Sequence, residues 1–128
     1  MESNDPGSAI VLVAGSSWVV LVNFNLFITG GWLSYELDLV AKKAYKREDL
    51  KNRRKYHGTI LFGNRIYLFG GGTPIIEYFD DNRWNQAGQL TGDRQCVTCC
   101  MLNNLMYIAS KNSNTIEEYN PSTMGPTR

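Results

Sequence analysis

The sequence predicts an all-β fold built from a repeated unit. The 128-residue chain contains 12 Gly, 7 Tyr, 5 Phe and 3 Trp, a mixture typical of short strands joined by turns. A similar segment also recurs, and its copies at residues 26–31, 66–71 and 106–111 are separated by steps of forty residues. Helical periodicity fits poorly along the chain. A repeat of this length indicates that each unit folds into one small antiparallel sheet.

Individual positions keep the same step. They are Leu50 and Leu90, Arg54 and Arg94, Asn64 and Asn104, and, at steps of forty-one and forty, Glu36, Glu77 and Glu117. We therefore divide the chain into an N-terminal segment, residues 1–16, and three units, residues 17–54, 55–94 and 95–128. The N-terminal segment is either a strand of its own or the remnant of a further, shortened unit.

The second unit is the most regular, and it predicts four strands. We place them at residues 57–62, 65–69, 74–79 and 83–86, with Gly63 and Asn64 forming the first hairpin turn. The double glycine at Gly70 and Gly71 directly follows an apolar strand, where it allows a positive φ and the close approach of other backbone. Each sheet has two apolar faces in this arrangement, so neighbouring sheets must stack face to face around an axis.

Three sets of residues show what the units resemble. The second unit contains Tyr67, Gly70, Gly71, Glu77, Phe79 at the Tyr position, Asp80, Trp84 and Arg94. The first contains Gly30, Gly31, Glu36, Asp38 and Arg54, with Leu37 at the Tyr position and Tyr45 at the Trp position. The third contains Arg94, Tyr107, Glu117, Tyr119, Asn120 and Pro121, with Ser110 and Lys111 at the double-glycine position. Together, over residues 17–124, they resemble the kelch repeat, in which a strand ends in Gly-Gly and is followed by Glu-x-Tyr-Asp, a Trp and an Arg.

The resemblance implies a partial kelch β-propeller of about three blades with short antiparallel strands. We expect this propeller to be open rather than closed, because propellers close with about four to eight blades. The chain is then expected to be a fragment, and in isolation it is expected to self-associate through its open blade faces.

The resemblance also implies a protein-binding role without catalysis, metal or cofactor. Kelch proteins usually bind partners through loops at one end of the propeller, and the corresponding residues here are Trp32, Lys55, Tyr56, Gly72, Gln95, Cys96 and Asn112. Trp32 and Tyr56 are the strongest candidates, because exposed aromatic side chains dominate interface energetics. In kelch-like proteins with BTB and BACK regions, the propeller recognises the substrate of a cullin-type ubiquitin ligase, and we expect that role here. Binding to actin or the cytoskeleton is the alternative.

Three other groups of residues could carry chemistry, but a structural interpretation leads for each. Cys96, Cys99 and Cys100 could bind zinc or act in thiol redox chemistry. In a strand, however, positions 96 and 99 lie on opposite faces, because side chains alternate. We therefore expect buried, reduced thiols. His57 could be a base or a ligand in a kelch-domain copper oxidase, but one His cannot build that site. Residues 70–72 lack the Lys-Ser or Lys-Thr of a phosphate loop.

Charge and hydropathy favour neither a nucleic-acid partner nor a membrane. The net charge is +1, and residues 42–55 contain eight of the thirteen basic residues. This segment could be a phosphate-binding or nuclear-import patch, but we favour a solvated face. Residues 6–35 contain no charge, but turn residues interrupt them, so we expect strands. The clustered cysteines favour a reducing compartment and a cytoplasmic location. Tyr67, Phe79, Trp84 and Tyr107 are expected to pack within and between blades.

Overall fold

In the part of the chain that the computed structural model describes, every regular element is a β-strand. The described residues are 11–14, 17–22 and 25–123, with side chains from residue 29 onward; the rest of the predicted N-terminal segment and the last five residues of the third unit lie outside them. The strands are β1 (Val11–Ala14), β2 (Ser17–Val22), β3 (Asn25–Gly30), β4 (Leu33–Asp38), β5 (Lys43–Lys46), β6 (Gly58–Phe62), β7 (Arg65–Phe69), β8 (Ile75–Asp80), β9 (Arg83–Gln89), β10 (Val97–Leu102), β11 (Leu105–Ser110) and β12 (Glu117–Tyr119).

The strands form three antiparallel sheets, and in each sheet every strand pairs with its neighbours in sequence. Sheet 1 contains β1–β5, sheet 2 contains β6–β9 and sheet 3 contains β10–β12. Over the described ranges none of the three closes on itself. The prediction of an all-β fold is confirmed, and so are the four strands of the second unit, with boundaries shifted by one to three residues. Residues 11–14 of the N-terminal segment form a strand that pairs with β2.

Two-residue hairpins connect strands at one end of the sheets. They lie at Gly63 and Asn64, at Asp81 and Asn82, and at Asn103 and Asn104. Gly63 has a φ of 63°, and both residues of the other two turns have positive φ. Positive φ at both central residues is the geometry that matches the right-handed twist of paired strands, and Asn and Asp tolerate it. The hairpin predicted at Gly63 and Asn64 is therefore confirmed.

Sheet 2 packs against a neighbour on each of its faces. We call the face of a sheet toward the following sheet its leading face, and the opposite one its trailing face. The leading face of sheet 2 contacts the trailing face of sheet 3 in a cluster of Ile60, Tyr67, Phe69, Ile76, Ala87, Leu90, Val97, Met106, Ile108 and Tyr119. The trailing face carries Leu50, Ile66, Leu68, Phe79 and Trp84. It meets sheet 1, where the indole nitrogen of Trp84 donates to Ser34 Oγ at 3.3 Å.

The forty-residue repeat corresponds to the interface between neighbouring sheets, which forms once between sheets 1 and 2 and again between sheets 2 and 3. Four trailing-face residues of sheet 2 and their equivalents in sheet 3 are Leu50 and Leu90, Ile66 and Met106, Leu68 and Ile108, and Phe79 and Tyr119. All eight are buried. Burial of one such side chain contributes about 1.5–3 kcal/mol. The step in the sequence therefore reflects a repeated need to cover the preceding sheet.

The first unit departs from this register, which corrects two sequence assignments. Leu68 pairs with Glu77 in sheet 2, whereas the equivalent Ile28 pairs with Tyr35 in sheet 1. Tyr35 therefore holds the place of Glu77, and Glu36 points to the opposite face. The physical reason is the shorter loop between β3 and β4, because a one-residue shift in register moves each side chain to the other face.

The same shift moves the predicted Trp position. Phe79 pairs with Trp84, and the equivalent Leu37 pairs with Ala44 rather than Tyr45. Tyr45 instead lies 39% exposed under the guanidinium of Arg47, 5.2 Å from the ring centroid. The first unit thus lacks a buried aromatic at this position.

Candidate partner-binding surface

The meander topology separates the loops into two ends. Because successive strands run in opposite directions, the hairpins at residues 63–64, 81–82 and 103–104 share one end. The double-glycine loops and the connections between sheets share the other, which we call the loop end. It contains residues 31–32, 47–57, 70–74, 90–96 and 111–116.

All seven residues assigned to partner binding lie at the loop end and are exposed. They are Trp32, Lys55, Tyr56, Gly72, Gln95, Cys96 and Asn112. Trp32 is 50% exposed and Tyr56 is 49% exposed, so each presents about half of a large aromatic side chain to solvent. Tyr56 and Cys96 both have positive φ, at 55° and 52°, and occupy equivalent positions in successive connections.

A buried ion pair lies directly beneath Lys55 and Tyr56. The side chains of Arg54 and Glu77 are both 0% exposed, and Arg54 Nη2 lies 2.8 Å from Glu77 Oε1. Arg54 also donates from Nε to Glu77 Oε1 at 3.0 Å, from Nη1 to the Gly70 carbonyl at 2.9 Å and from Nη2 to the Ile75 carbonyl at 2.5 Å. The second carboxylate oxygen of Glu77 accepts from the Lys51 amide at 2.8 Å. One side chain therefore binds the connection to β8 and to the double-glycine loop of sheet 2.

The same arrangement recurs forty residues later, beneath Gln95 and Cys96. Arg94 Nε donates to Glu117 Oε2 at 2.7 Å, and Arg94 Nη1 donates to the Thr115 carbonyl at 2.8 Å. The Thr91 amide donates to Glu117 Oε1 at 2.9 Å, as the Lys51 amide does to Glu77. This pair is less enclosed, since its two side chains are 5% and 17% exposed.

Burial and charge oppose each other at Arg54. Desolvation lowers the pKa of Arg54, and the carboxylate of Glu77 counteracts that shift. A guanidinium cannot be deprotonated at physiological pH, so the pair remains ionic. A buried charge of this kind is tolerated because Nε, Nη1 and Nη2 of Arg54 each donate to an oxygen. The ion pair consequently fixes where the chain leaves the interior and reaches the surface.

The double glycine of the second unit is required by close backbone approach. Gly70 and Gly71 have φ of 68° and 82°. A Cβ on Gly71 would lie 2.7 Å from the Lys55 carbonyl oxygen, and one on Gly70 would lie 2.6 Å from the Arg94 carbonyl oxygen. The amide of Gly71 donates to that Arg94 oxygen at 2.8 Å, and its carbonyl accepts from the Lys55 amide at 2.9 Å. Both reasons predicted for these glycines are confirmed.

In the first unit only Gly31 of the double glycine has a positive φ, and close backbone approach does not require it. Gly31 has a φ of 60° and exchanges two backbone hydrogen bonds with Arg54, at 2.6 and 2.9 Å. A Cβ on Gly31 would meet nothing within 4 Å, so conformation rather than space favours glycine there. Gly30 is the last residue of β3 and pairs with Leu33.

Asp93, which no sequence pattern selects, connects three of the predicted residues. Its carboxylate accepts from the Gly72 amide at 3.0 Å and from the side-chain amide of Gln95. The Gln95 amide donates to Asn112 Oδ1 at 2.9 Å, and Asn112 Nδ2 donates to the Asp93 carbonyl at 3.2 Å. The equivalent residue in the preceding connection is Arg53, so no repeat pattern marks this position.

A depression of about 290 Å³ opens between the two connections. It is lined by Arg53, Arg54, Lys55, Gly71, Gly72 and Gln95. Among the described residues, Arg53 and Lys55 have no acidic side chain in ion-pair contact. The carboxylate of Asp93 hydrogen-bonds Gly72 and Gln95 instead. The depression therefore has a basic wall, and Trp32 and Tyr56 lie outside its lining.

His57 is a structural residue. It is buried, and its Nε2 lies 2.9 Å from Thr29 Oγ1 in sheet 1. Burial and the charge of Arg54 lower its pKa to about 3, so the imidazole is neutral at physiological pH. Its Nδ1 has no hydrogen-bond partner among the described residues, and neither does Oγ1 of Thr59.

The cysteines correct part of one expectation. All three are free, but Cys96 and Cys100 are exposed and only Cys99 is partly buried. Cys100 is exposed because β10 alternates, so that Cys99 points toward sheet 2 and Cys100 points away from it. Burial raises the pKa of Cys99 to about 12. Within residues 29–123, no three His, Cys, Asp or Glu side chains cluster in a way that could hold a metal ion.

The other residues of the repeat signature stabilise the sheets rather than form part of the loop-end surface. Tyr67, Phe79, Trp84 and Tyr119 are buried between sheets, as predicted for the first three. Asp80 accepts from Arg65 Nε at 3.1 Å at the hairpin end.

Tyr107 differs from the expectation of packing between sheets. It is only half-buried, because it lies on the leading face of sheet 3, opposite the side that packs against sheet 2.

Residues 42–55 are largely a solvated face. Lys46 pairs with Asp49, and Lys51 pairs with Glu48, through exposed side chains. Leu50 and Arg54 are the buried exceptions, since Leu50 packs on sheet 2 and Arg54 lies in the pair with Glu77.

Comparison with known proteins finds no family model that matches the chain and no match among curated proteins. The described strands and turns include no helix of the length and apolar character needed to cross a membrane. The fold and site define a class only: an all-β chain of three open, stacked antiparallel sheets with a polar and aromatic loop end.

Proposed function

We propose that this chain is a protein-binding segment of a kelch-like β-propeller and that it binds its partner at the loop end. The observation that carries the proposal is the position of the seven predicted residues, which are exposed at one end of the three sheets. Four of them directly follow Arg54 and Arg94, whose ion pairs hold the connections in place. Binding residues on loops that a rigid framework positions are typical of recognition modules.

The repeated ion pair supports the kelch-like interpretation. In the kelch repeat, the Glu of the Glu-x-Tyr-Asp segment and the later Arg are signature residues. Here Arg54 contacts Glu77 and Arg94 contacts Glu117 through equivalent atoms and equivalent backbone partners. The residues that define the resemblance therefore perform one physical task in successive units.

The chemistry of the loop end favours a protein partner with an acidic segment beside an apolar one. Trp32 and Tyr56 offer aromatic area, which contributes strongly when it is buried at an interface. Arg53 and Lys55 add positive charge at the depression, which favours carboxylates of a partner and increases the association rate. Substrate recognition for a cullin-type ubiquitin ligase is the role that the resemblance implies, with actin or cytoskeletal binding as the alternative.

The test is affinity capture with the full chain. The double variant Trp32→Ala/Tyr56→Ala should lose at least about 90% of each specifically captured partner, because interface aromatics account for about 2 kcal/mol or more each. The control is Val40→Ala, which alters a side chain 87% exposed in the turn between β4 and β5, at the opposite end.

Three results would contradict the proposal or redirect it. Capture that is unchanged in a folded double variant would place the binding surface elsewhere. Co-sedimentation of the wild-type chain with filamentous actin, lost in the double variant, would favour the cytoskeletal alternative. Stoichiometric copper in the purified protein would instead support an oxidase.

A further inference from the structure

The leading face of sheet 3 repeats the pattern of a face that is covered inside the chain. In sheet 2, the leading face is covered by sheet 3, and a Cβ on Gly58 would lie 2.6 Å from Val97 and 2.7 Å from Cys99. The forty-residue equivalents on sheet 3 are Thr98, Cys100, Leu102, Leu105, Tyr107, Ala109 and Ile116. Leu102 is 59% exposed and Ile116 is 67% exposed. Glu118, which pairs with Tyr107 at the place equivalent to Tyr78, is the charged residue among these positions. The rest of the face is mainly apolar, and no described residue forms a sheet against it.

The trailing face of sheet 1 is the counterpart at the other side of the stack. Its β4 positions are Leu33, Tyr35 and Leu37, with Ala44 and Lys46 beside them on β5. The ammonium of Lys46, near the loop end, pairs with Asp49. Along β4 these apolar residues alternate with Ser34, Glu36 and Asp38. Of the polar set, Ser34 contacts sheet 2 through Trp84.

Tyr35 is the informative residue on this trailing face. In sheet 2 the equivalent position is Glu77, whose carboxylate pairs with the buried Arg54 of the preceding connection. At the place equivalent to that Arg, the first unit has Ala14. With Tyr35 in place of the Glu, the trailing face of sheet 1 contains no carboxylate that would require such an Arg. It can therefore be covered by a surface that supplies no cation.

We propose that two copies of this chain associate so that sheet 1 of each copy stacks on sheet 3 of the other. Each copy contributes three sheets, so the dimer contains six, within the range of about four to eight at which stacked sheets close around an axis. Three copies would supply nine sheets, which exceeds that range. The closed dimer is two-fold symmetric, and it contains two copies of one interface. This inference rests on the propeller arrangement of the proposed function.

The oligomeric state tests the proposal directly. Sedimentation equilibrium of the full chain should give twice the 14.5 kDa mass of one chain and should dissociate on dilution. Tyr107→Lys on sheet 3 and Ala44→Lys on sheet 1 should each raise the dissociation constant by at least about 100-fold, because each buries an ammonium in the interface. Glu118, which pairs with Tyr107, offsets the cost of the first substitution only in part. The matched control is Tyr56→Lys, which makes the same change at the loop end and should leave the mass unchanged.

A mixing experiment distinguishes this dimer from one in which equal faces meet. Differently tagged Tyr107→Lys and Ala44→Lys chains should form a mixed dimer more tightly than either forms alone, since the mixed pair contains one interface free of substitutions. If Ala44→Lys dimerises like wild type while Tyr107→Lys does not, sheet 3 meets sheet 3 and the proposal is wrong.

Two other outcomes also overturn the proposal. A wild-type chain that stays monomeric at all concentrations excludes the dimer, and a mass that keeps growing with concentration excludes a closed ring. Circular dichroism verifies that each variant is folded. A monomer whose partner capture still depends on Trp32 and Tyr56 would refute the dimer and leave the protein-binding proposal intact.

Discussion

The substitution Glu77→Gln should remove a large part of the folding stability of this chain. The change preserves the shape of the side chain and removes its charge, while Arg54 remains protonated and 0% exposed. The guanidinium then loses its negative partner, and the single amide oxygen of Gln cannot accept both from Arg54 and from the Lys51 amide, as the carboxylate does. An uncompensated buried charge costs about 3–5 kcal/mol. A domain is typically stable by only about 5–15 kcal/mol, so about a fifth or more of the total is at stake.

Two matched substitutions test whether the loss of stability depends on how deeply the ion pair is buried. Glu117→Gln breaks the equivalent pair, but water reaches a carboxylate that is 17% exposed, so we expect a smaller loss of about 1–3 kcal/mol. Glu36→Gln breaks the pair with Arg47, whose side chains are 30% and 24% exposed, and should cost about 0–1 kcal/mol. The predicted order of destabilisation is therefore Glu77, Glu117 and Glu36.

Urea unfolding measured by circular dichroism provides the free energies, provided that the slope against urea concentration stays constant among the variants. A loss below about 1 kcal/mol for Glu77→Gln, or a loss no larger than that of Glu36→Gln, would refute the reasoning. The double variant Arg54→Met/Glu77→Leu should recover only part of the loss. It removes both charges but leaves the carbonyls of Gly70 and Ile75 without their donor, at about 1–3 kcal/mol each.

Three further predictions follow from local geometry. Gly71→Ala should destabilise by about 1–3 kcal/mol in urea unfolding, because φ is 82° and the new Cβ meets backbone at 2.7 Å; an unchanged midpoint would contradict the close approach. The pKa of His57 is lowered from 6.5 to about 3, so between those pH values only the unfolded chain binds this proton. Stability is therefore full above pH 6.5 and falls by up to about 5 kcal/mol toward pH 3. His57→Gln should reduce that pH dependence, and an equal slope in both proteins would exclude His57 as its source. Iodoacetamide should label Cys96 and Cys100 before Cys99, as mass spectrometry of the digested protein can show; early labelling of Cys99 would contradict its burial.

The sequence predicted the second unit well because its signals are local. Strand boundaries followed from apolar runs between turn residues, and Gly63, Gly70 and Gly71 have the backbone geometry that only small residues adopt easily. The forty-residue step was informative for the same reason: equivalent residues such as Arg54 and Arg94 make equivalent contacts. Residues that repeat in the sequence therefore also make repeated contacts in the folded chain.

The first unit was predicted less well because spacing in the sequence does not fix register. Glu36 lies forty-one residues before Glu77, yet the shorter loop between β3 and β4 places Tyr35 at the equivalent position. A one-residue change reverses the face, which no count of similar residues detects. Asp93 was missed for a related reason, since its partners, Gly72 and Gln95, come together only when two sheets stack.

Stability and binding meet at the same segments of this chain. Lys55 follows Arg54, and its amide bonds to Gly71, so the backbone that carries the exposed side chain is held by the buried pair and by the double-glycine loop. A substitution such as Glu77→Gln touches no exposed atom. Under conditions where this variant is still folded, weaker partner capture would have to come from displacement of the connection. The same loss in Trp32→Ala, whose side chain is half exposed, would come from lost contact area instead. Comparing capture by these two variants at equal folded fraction therefore separates the framework from the surface that it supports.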